Sequence, residues 1–561
     1  MLQYAGVVIS GAAVLISLIL ILALVLRTRK TRDRLLLAFA KVRKELLSFT
    51  IRGAVIMLVI VAVLYVAVSY WINQNTAVFY LFGAACAGVI AFAALEIVSL
   101  CGALAAEDEE KGFRASAAHV VTGSLAIGLL AAGLPVLLFY CLFFLFQINT
   151  ATEDMCGYAL GACVVALFFR TRSNLYTRLL DWVGSLICAG TAAVMLSGIS
   201  LLEAGVGGLF KQRTAFLLPL LLLAVGTAVF FVVSPLIRAK DARALAGRFH
   251  IVSILASLVT CGVGVYLCYR FLHNIDYCVP VVAGMAAAAM AAESAAVRKA
   301  GIARYVRQLE KNEETALYVI HDPLIRDVRS GLISTMLPMI FLCCACYASY
   351  YFAGFYGLAL AAVSAAACSN VQMMSVFLSP IYRMAFEIRE AGGMKSEESF
   401  AQLKAGDGEL IGRENGVSII SAALSAIALY GVFTRFAEFE TADLADPIVL
   451  LALVIGVMLP CFYMAGAMGE PLNAVVHVKR RAIPGIVGFA SVMLIGCLFS
   501  AEALTGEVTG VICASTMLSL LFSNSGAVLR IKSESALNTL MKLTVSAAVT
   551  FLPLFTTSIL S

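Results

Sequence analysis

Long apolar runs recur from one end of this chain to the other, and they restrict its possible folds more than any other feature. Each run holds roughly 18 residues or more with few charges, long enough to cross a hydrocarbon core of about 30 Å as an α-helix. Hydrophobic residues make up 62% of the 561 residues and charged residues 13%, whereas a soluble domain carries about 25% charged residues. The pattern predicts an all-α polytopic membrane protein embedded in a lipid bilayer.

The apolar runs predict about sixteen membrane-spanning helices in a single membrane-embedded domain, 1–561. The least regular run, 183–209, is interrupted by "SGIS" and "EAGVGG". The predicted spans are 4–26, 51–72, 77–104, 115–147, 153–181, 183–209, 214–238, 249–273, 278–303, 325–349, 352–388, 415–434, 446–469, 482–500, 504–529 and 537–560.

Basic residues cluster on alternate connections between these spans. The stretch 27–52 holds nine Lys and Arg residues, whereas "NQNTA" and "SAEALTGE" hold none. Because basic loops stay in the cytoplasm, we expect a multi-pass protein of the cell membrane with both termini on the non-cytoplasmic side. The main cytoplasmic connections are then 27–50, 298–328 and 389–414. The net charge of +6 follows from this topology, and no nucleic-acid partner is expected.

Signatures of soluble enzymes are missing from the sequence. It contains no GxxxxGK[ST], HExxH or GxSxG motif, so nucleotide-binding loops, zinc proteases and serine hydrolases of those types are not indicated. The five histidines lie far apart along the chain, which argues against a histidine-based metal site. The sixteen cysteines are scattered through apolar runs, as expected of buried thiols.

A few charges lie where the apolar runs end. Glu387 follows Arg383 by four residues and precedes Glu390 by three, so the three can pair on one helix face or the two acids can bind a ligand. Asp181 can form a salt bridge with Arg178 at the end of a helix, or it can bind a metal ion. Arg170 can pair with an acidic residue inside the membrane, or its side chain can extend to the membrane interface.

Eight segments, in order along the chain, resemble the membrane-integral pyrophosphatases that pump protons or sodium. They resemble the fourth, fifth, tenth to thirteenth and last two helices of that family. The segments are "EKGFRASAAHVVTGSLAIGLL", "LFFRTRSNLYTRLLDWVGSLI", "RSGLISTMLPM", "GFYGLALAAVSAAACSN" with "SPIYRMAFEIREAGG", "NGVSIISAALSAIALYGVF", "VIGVMLPCFYMAGAMG", "LLFSNSGAVL" and "SALNTLMKL".

The resemblance implies sixteen helices in two concentric rings, and a homodimer. It also implies a cytoplasmic funnel that binds magnesium pyrophosphate above an ion gate. Such a site needs hard oxygen ligands for several Mg²⁺ ions and cations for the phosphate oxygens. Mg²⁺ and pyrophosphate are therefore the expected cofactor and substrate if the chain is active, and no cofactor is expected otherwise.

Most of the family's catalytic positions are changed in this chain. The resemblance leaves Asp181, Glu390, Asn524 and Asn538 as residual catalytic candidates, and Asp181, Glu387 and Glu390 as weak metal candidates. Between Asp181 and Lys211 the only acid is Glu203, so the family's long metal-binding loop is missing. Neutral or basic residues replace the other expected acids, amides and lysines: Ser185, Ala189, Val376, Arg383, Met384, Ala401, Lys404, Gly408 and Asn415.

The ion gate is expected to be altered as well. Lys542 matches the gate lysine of the family's last helix, and the sixth-helix partners, an aspartate and a glutamate in the family, fall at Gly208 and Lys211. Lys542, Lys211 and Arg170 are thus the gate candidates, and this alignment predicts two cations in place of an ion pair.

Three functions remain open. The first is a pyrophosphatase-like pseudoenzyme that serves as a membrane scaffold, as a regulator of an active pump, or as a binder of another ligand. The second is an active ion-translocating pyrophosphatase whose remaining acids regroup around Mg²⁺. The third is an unrelated multi-pass transporter, which would be expected to show an internal repeat with broken helices.

Overall fold

The structure, a computed structural model, describes residues 2–29, 33–146, 148–168, 175–203, 209–237, 242–311, 323–370, 376–393, 398–437, 446–468, 477–524 and 534–555. Within these ranges the chain forms sixteen α-helices and three short 3₁₀ turns and has no strand. The helices are α1 (Leu2–Thr28), α2 (Asp33–Trp71), α3 (Gln74–Asp108), α4 (Phe113–Leu145), α5 (Ile148–Phe168), α6 (Leu175–Glu203), α7 (Leu209–Val233), α8 (Ala242–Leu272), α9 (Cys278–Lys311), α10 (Pro323–Cys368), α11 (Leu378–Ala391), α12 (Glu398–Phe436), α13 (Pro447–Met468), α14 (His477–Leu498), α15 (Ala501–Asn524) and α16 (Glu534–Phe555).

The predicted all-α polytopic fold is confirmed. Thirteen helical segments are long and apolar enough to cross a membrane, and two shorter apolar segments, Asp154–Leu167 and Gly485–Leu498, accompany them. One of the thirteen, Gly331–Cys368, has 38 residues and would be about 57 Å long if straight, nearly twice the thickness of a hydrocarbon core. It is therefore long enough for two crossings, which correspond to the predicted spans 325–349 and 352–388.

The two arms of α10 meet at a sharp reversal. Ala353 and Gly354 leave the helical conformation, and Gly354 has a positive φ of 60°, which glycine adopts at little cost. A Cβ on Gly357 would lie 2.2 Å from the carbonyl oxygen of Ser349, although eight helical residues separate the two by about 12 Å in a straight helix. The chain thus folds back close to the predicted boundary between 349 and 352.

Two predicted span boundaries are wrong. The fifth and sixth spans were expected at 153–181 and 183–209, but α5 ends at Phe168 and α6 begins at Leu175. Every residue from 179 to 197 is buried, so this apolar stretch packs as one continuous helix and carries Asp181 within it. The expected span 352–388 is also divided, because α10 ends at Cys368 and α11 is a separate amphipathic helix.

The three long polar connections predicted from sequence are largely helical extensions of neighbouring spans. In the first, α2 begins at Asp33, and in the second, α9 continues to Lys311, as its helical spacing predicts. In the third, α12 begins at Glu398 and continues into the span Asn415–Phe436.

Burial divides the helices into a central and a peripheral set. In the most apolar stretch of each helix, 100% of the residues are buried in α6, 89% in α16 and 83% in α12, against 22% in α1 and 11% in α2. The helices α6, α12 and α16 contact one another. Polar side chains within the buried stretches of these three helices are therefore enclosed by protein, while α1 and α2 turn apolar side chains outward.

Small residues let the central helices approach closely. The sequence predicted such packing for the runs "AGMAAAAMAAESAA" and "GLALAAVSAAACS", and a Cβ on Gly284 would lie 2.1 Å from the carbonyl oxygen of Ala361. Those two residues belong to the two runs, so this prediction is confirmed. The same close approach joins α3 and α5, where Gly161 faces the carbonyl of Tyr80. All sixteen cysteines are free thiols, but only nine of them are buried as the sequence predicted, and four are exposed: Cys343, Cys344, Cys461 and Cys513.

Candidate functional site

The central helices enclose a pair of opposite charges. Asp181 of α6 and Lys542 of α16 are both fully buried, and the Lys542 ammonium lies 2.6 Å from Asp181 Oδ1. Ionised side chains inside a membrane protein are costly unless they are paired and hydrogen-bonded. The two residues are 361 positions apart in sequence, so the fold alone brings them together.

Every oxygen of the Asp181 carboxylate is engaged by a protein donor. Oδ1 accepts hydrogen bonds from Lys542 at 2.6 Å and from Thr539 at 3.3 Å. Oδ2 accepts from Ser418 of α12 at 3.1 Å and from Asn538 at 3.0 Å. Because Asn538, Thr539 and Lys542 follow one another within little more than a turn of α16, one face of that helix supplies three of the four donors.

The Lys542 ammonium is equally saturated. It donates to the Asp181 carboxylate, to the backbone carbonyl of Asp181 and to Ser185 Oγ at 2.7 Å. An ammonium group has three donors, so none remains for a further ligand. Ser185 lies one turn after Asp181 on the same face of α6, and Gly184 leaves room for the amine, since its Cβ would lie 3.4 Å from Lys542 Nζ.

The arrangement is neutral and closed. One carboxylate and one ammonium cancel, and the remaining partners are hydroxyls and an amide. In a low-dielectric interior such charge-assisted hydrogen bonds are short and strong. A metal ion or an anion could reach Asp181 or Lys542 only by displacing donors or acceptors that the protein itself supplies.

The structure brings together three of the sequence-predicted residues, Asp181, Asn538 and Lys542. Asn524 ends α15 and Lys211 lies in α7, but their side chains are outside the described residues, as is Arg170 altogether. The expected partner of Lys542 was a second cation at Lys211. The partner that the structure gives it is the carboxylate of Asp181.

The metal candidates Glu387 and Glu390 lie elsewhere, on the exposed face of α11. Glu387 pairs with Arg383 four residues earlier at 3.3 Å, the arrangement that helical spacing favours. Because Asp181 is fully buried among other helices, the three acids share no site. Across the described ranges, no three His, Cys, Asp or Glu side chains come together in a way that could hold a metal ion.

The buried face of α11 carries a contact that sequence reasoning missed. Arg389 is 5% exposed, lies 2.8 Å from Glu109 and donates to the carbonyl of Ala106 at 2.9 Å. Glu109 begins the 3₁₀ turn between α3 and α4. The only available signal was Arg389's place among Tyr382, Ala385 and Ile388 on the apolar side of an amphipathic helix.

Several of the replaced catalytic positions are buried. Ser185, Ala189 and Val376 are buried, and Asn415 is 6% exposed at the point where α12 enters its apolar stretch. Each takes the place of an acid or a lysine in the family resemblance. Within the described residues these positions contribute no charge to the neighbourhood of Asp181.

Together, the apolar helices and the ion pair that they enclose define a polytopic α-helical membrane protein. Comparison with protein families then identifies a particular one, because the family described as inorganic H⁺ pyrophosphatase matches residues 12–188 and 180–478. The chain belongs to this family. The two matches overlap at 180–188, the stretch that contains Asp181 and Ser185.

Two curated relatives are similar to this chain at low identity. A putative K⁺-stimulated pyrophosphate-energized sodium pump of Clostridium tetani is 21% identical over 60% of this chain and 56% of its own length. A K⁺-insensitive pyrophosphate-energized proton pump of Methanosarcina mazei is 26% identical over 36% of this chain and 37% of its own length. The chain thus spans about half the length or less of these relatives.

Proposed function

We propose that this chain is a member of the pyrophosphatase family that does not hydrolyse pyrophosphate. The observation that carries the proposal is the saturation of Asp181, whose two carboxylate oxygens accept four hydrogen bonds from protein donors. Magnesium pyrophosphate requires several carboxylates that are free to coordinate Mg²⁺. An acid locked to a lysine in a neutral network cannot serve as one of them.

The sequence around Asp181 supports the same proposal. The family's long metal-binding loop has no counterpart between Asp181 and Lys211, and the two family matches run into each other at 180–188. Further along, Arg383 and Lys404 stand where the resemblance calls for metal-binding positions. Cations there repel Mg²⁺.

We propose that the ion gate is altered along with the catalytic site. The resemblance matches Asp181 to the family's first catalytic segment and Lys542 to the gate lysine of its last helix, and Lys542 on α16 pairs with Asp181 on α6. The gate acids of the family fall at Gly208 and Lys211, and neither position holds an acid in this chain. In this proposal Lys542 is held by Asp181 and is not available to a gate.

We further propose a homodimer in the cell membrane with both termini on the non-cytoplasmic side. The family resemblance supports the dimer, and the basic residues of alternate connections support the orientation. Native mass spectrometry of the detergent-solubilised protein tests the dimer, and a mass equal to that of one chain would contradict it. Reporter fusions at each terminus test the second, and a cytoplasmic reporter signal would contradict it.

Phosphate release tests the central proposal. The full-length protein is purified, reconstituted into liposomes and assayed with Mg²⁺ and pyrophosphate in K⁺ and in Na⁺ buffers, with the Methanosarcina mazei pump as the positive control. We expect a rate equal to that of protein-free liposomes. A rate above that background, lost in D181N, would contradict the proposal.

That contradicting result would establish the second candidate, an active ion-translocating pyrophosphatase. It is favoured by the similarity to both relatives, each named as a pyrophosphate-energized pump. It requires the acids of α11, Glu387 and Glu390, to leave the exposed face that they occupy and to join Asp181 around Mg²⁺.

A further inference from the structure

A second buried acid lies apart from the Asp181–Lys542 pair, between α14 and α15. Glu507 is fully buried and follows the start of α15 at Ala501 by six residues. Ser491 faces it from α14, seven residues before that helix ends at Leu498. Since the two helices are joined by only Phe499 and Ser500, the acid lies about 10 Å from the turn along the helix axis, inside the span Ala501–Ser523.

The Glu507 carboxyl has one polar partner in the described part of the chain. Oε1 lies 2.5 Å from Ser491 Oγ, and Oε2 has no hydrogen-bond partner. Among the helices that pack on α15, α14 presents Ser491 and α13 the backbone of Gly456. The described residues of α10, α12 and α16 bring no charged or titratable side chain into contact with the carboxyl. An ionised carboxylate left unpaired in such surroundings is strongly disfavoured against its protonated form.

The hydrogen bonds of Ser491 also favour a protonated Glu507. Its hydroxyl lies 2.9 Å from the carbonyl oxygen of Gly488 and 2.5 Å from Glu507 Oε1, but a serine has a single proton to donate. When that proton goes to Gly488, the contact with Glu507 is a hydrogen bond only if Glu507 donates. When Glu507 is ionised, the hydroxyl can turn and donate to the carboxylate, so Ser491 can satisfy both charge states.

The described residues around the Glu507 carboxyl offer too few ligands for a metal ion. A Cβ on Gly456 would lie 2.1 Å from the Glu507 carbonyl oxygen, and one on Gly506 or Gly510 would lie 2.2 or 2.4 Å from the carbonyls of α13. These approaches fix α13 against α15. A cation such as Mg²⁺ needs about six oxygen ligands, whereas two side-chain groups meet here, enough for a proton.

We propose that Glu507 and Ser491 form a membrane-embedded proton-binding site, separate from the Asp181–Lys542 pair. Glu507 carries the proton at neutral pH, and Ser491 accepts a hydrogen bond from it and reorients when the proton leaves. The site requires no pyrophosphate hydrolysis, so its test is independent of the function proposed above.

Infrared spectroscopy of the full-length protein in liposomes tests the charge state directly. At neutral pH we expect a carbonyl stretching band of a protonated carboxylic acid, and we expect E507Q to lose it while eluting as the same monodisperse species. E502Q is the matched control, because Glu502 lies five residues earlier on α15 and is partly exposed. Absence of the band in the wild-type protein, or its persistence in E507Q, would overturn the proposal.

Discussion

At the scale of single residues, the bond between Asp181 and Lys542 couples the two side chains in stability as well as in charge. Removing one member of a buried ion pair leaves the other charged and uncompensated, at a cost of about 3–5 kcal/mol. Replacing both members by neutral residues of similar size avoids that cost. The pair therefore contributes less to the free energy of unfolding than the loss caused by either single substitution would suggest.

We expect K542M to lower the free energy of unfolding by about 3–5 kcal/mol, because Asp181 is then left with only hydroxyl and amide donors. The double variant D181N/K542M should recover most of that loss. Chemical or thermal unfolding of the purified protein in a mild detergent measures both. R383A, which removes an exposed pair on α11, is the control and should cost about 0.5 kcal/mol or less.

A double variant as unstable as the sum of its two single variants would contradict this account, because it would mean that the two side chains act independently. A stable K542M protein would show instead that Asp181 is neutral in the absence of its partner.

Sequence reasoning identified Asp181, Asn538 and Lys542 one by one, through their places in a family resemblance. Their mutual contact was not predictable, because it depends on how α6 and α16 pack across 361 positions of chain. Arg389 and Glu507 were missed for a related reason. The partner of a single charged residue in an amphipathic or apolar helix cannot be predicted from sequence, because it depends on which helix packs against that residue.

At the scale of helices, α11 is attached to the bundle by its buried face. Ile381, Ala385 and Ile388 are buried there, and Arg389 joins them to reach Glu109 at the end of α3. The opposite face carries Arg383 and Glu387 in a solvent-exposed pair. One short helix thus holds two arginines in contrasting environments.

We expect R389A to destabilise the protein by about 3–5 kcal/mol, because Glu109 would stay buried and lose the guanidinium that lies 2.8 Å from it. R383A on the same helix should have little effect, since exposed pairs contribute at most about 1 kcal/mol. Limited proteolysis between α10 and α12, at equal expression of both variants, should show faster cleavage in R389A alone. Equal cleavage of the two variants would show that the Arg389–Glu109 contact does not hold α11 in place.

The number and type of helices followed from the length of the apolar runs, because the membrane thickness fixes how many residues a crossing needs. Their ends did not follow with the same accuracy. The boundary expected next to Asp181 lies before Leu175 instead, because burial of the whole stretch 179–197 outweighs the local interruption by polar residues that the prediction relied on.

At the scale of the whole molecule, the chain has the all-α membrane architecture of its family. The central helices α6, α12 and α16 pack against one another, and the charges of Asp181 and Lys542 cancel within one hydrogen-bond network. The family could be recognised from sequence because helix order and small-residue packing persist. The hydrogen bonding of Asp181 could not be predicted from sequence, because it depends on which donors surround its carboxylate in the folded chain.

Binding of a non-hydrolysable pyrophosphate analogue is the most direct measurement of the central claim. Isothermal titration of the full-length protein with magnesium imidodiphosphate, beside the Methanosarcina mazei pump as a binding control, reports whether the core can hold a metal-laden diphosphate. We predict no saturable heat with this chain and saturable binding with the control. Stoichiometric binding that disappears in D181N would show that Asp181 is free to coordinate Mg²⁺ and would contradict the account.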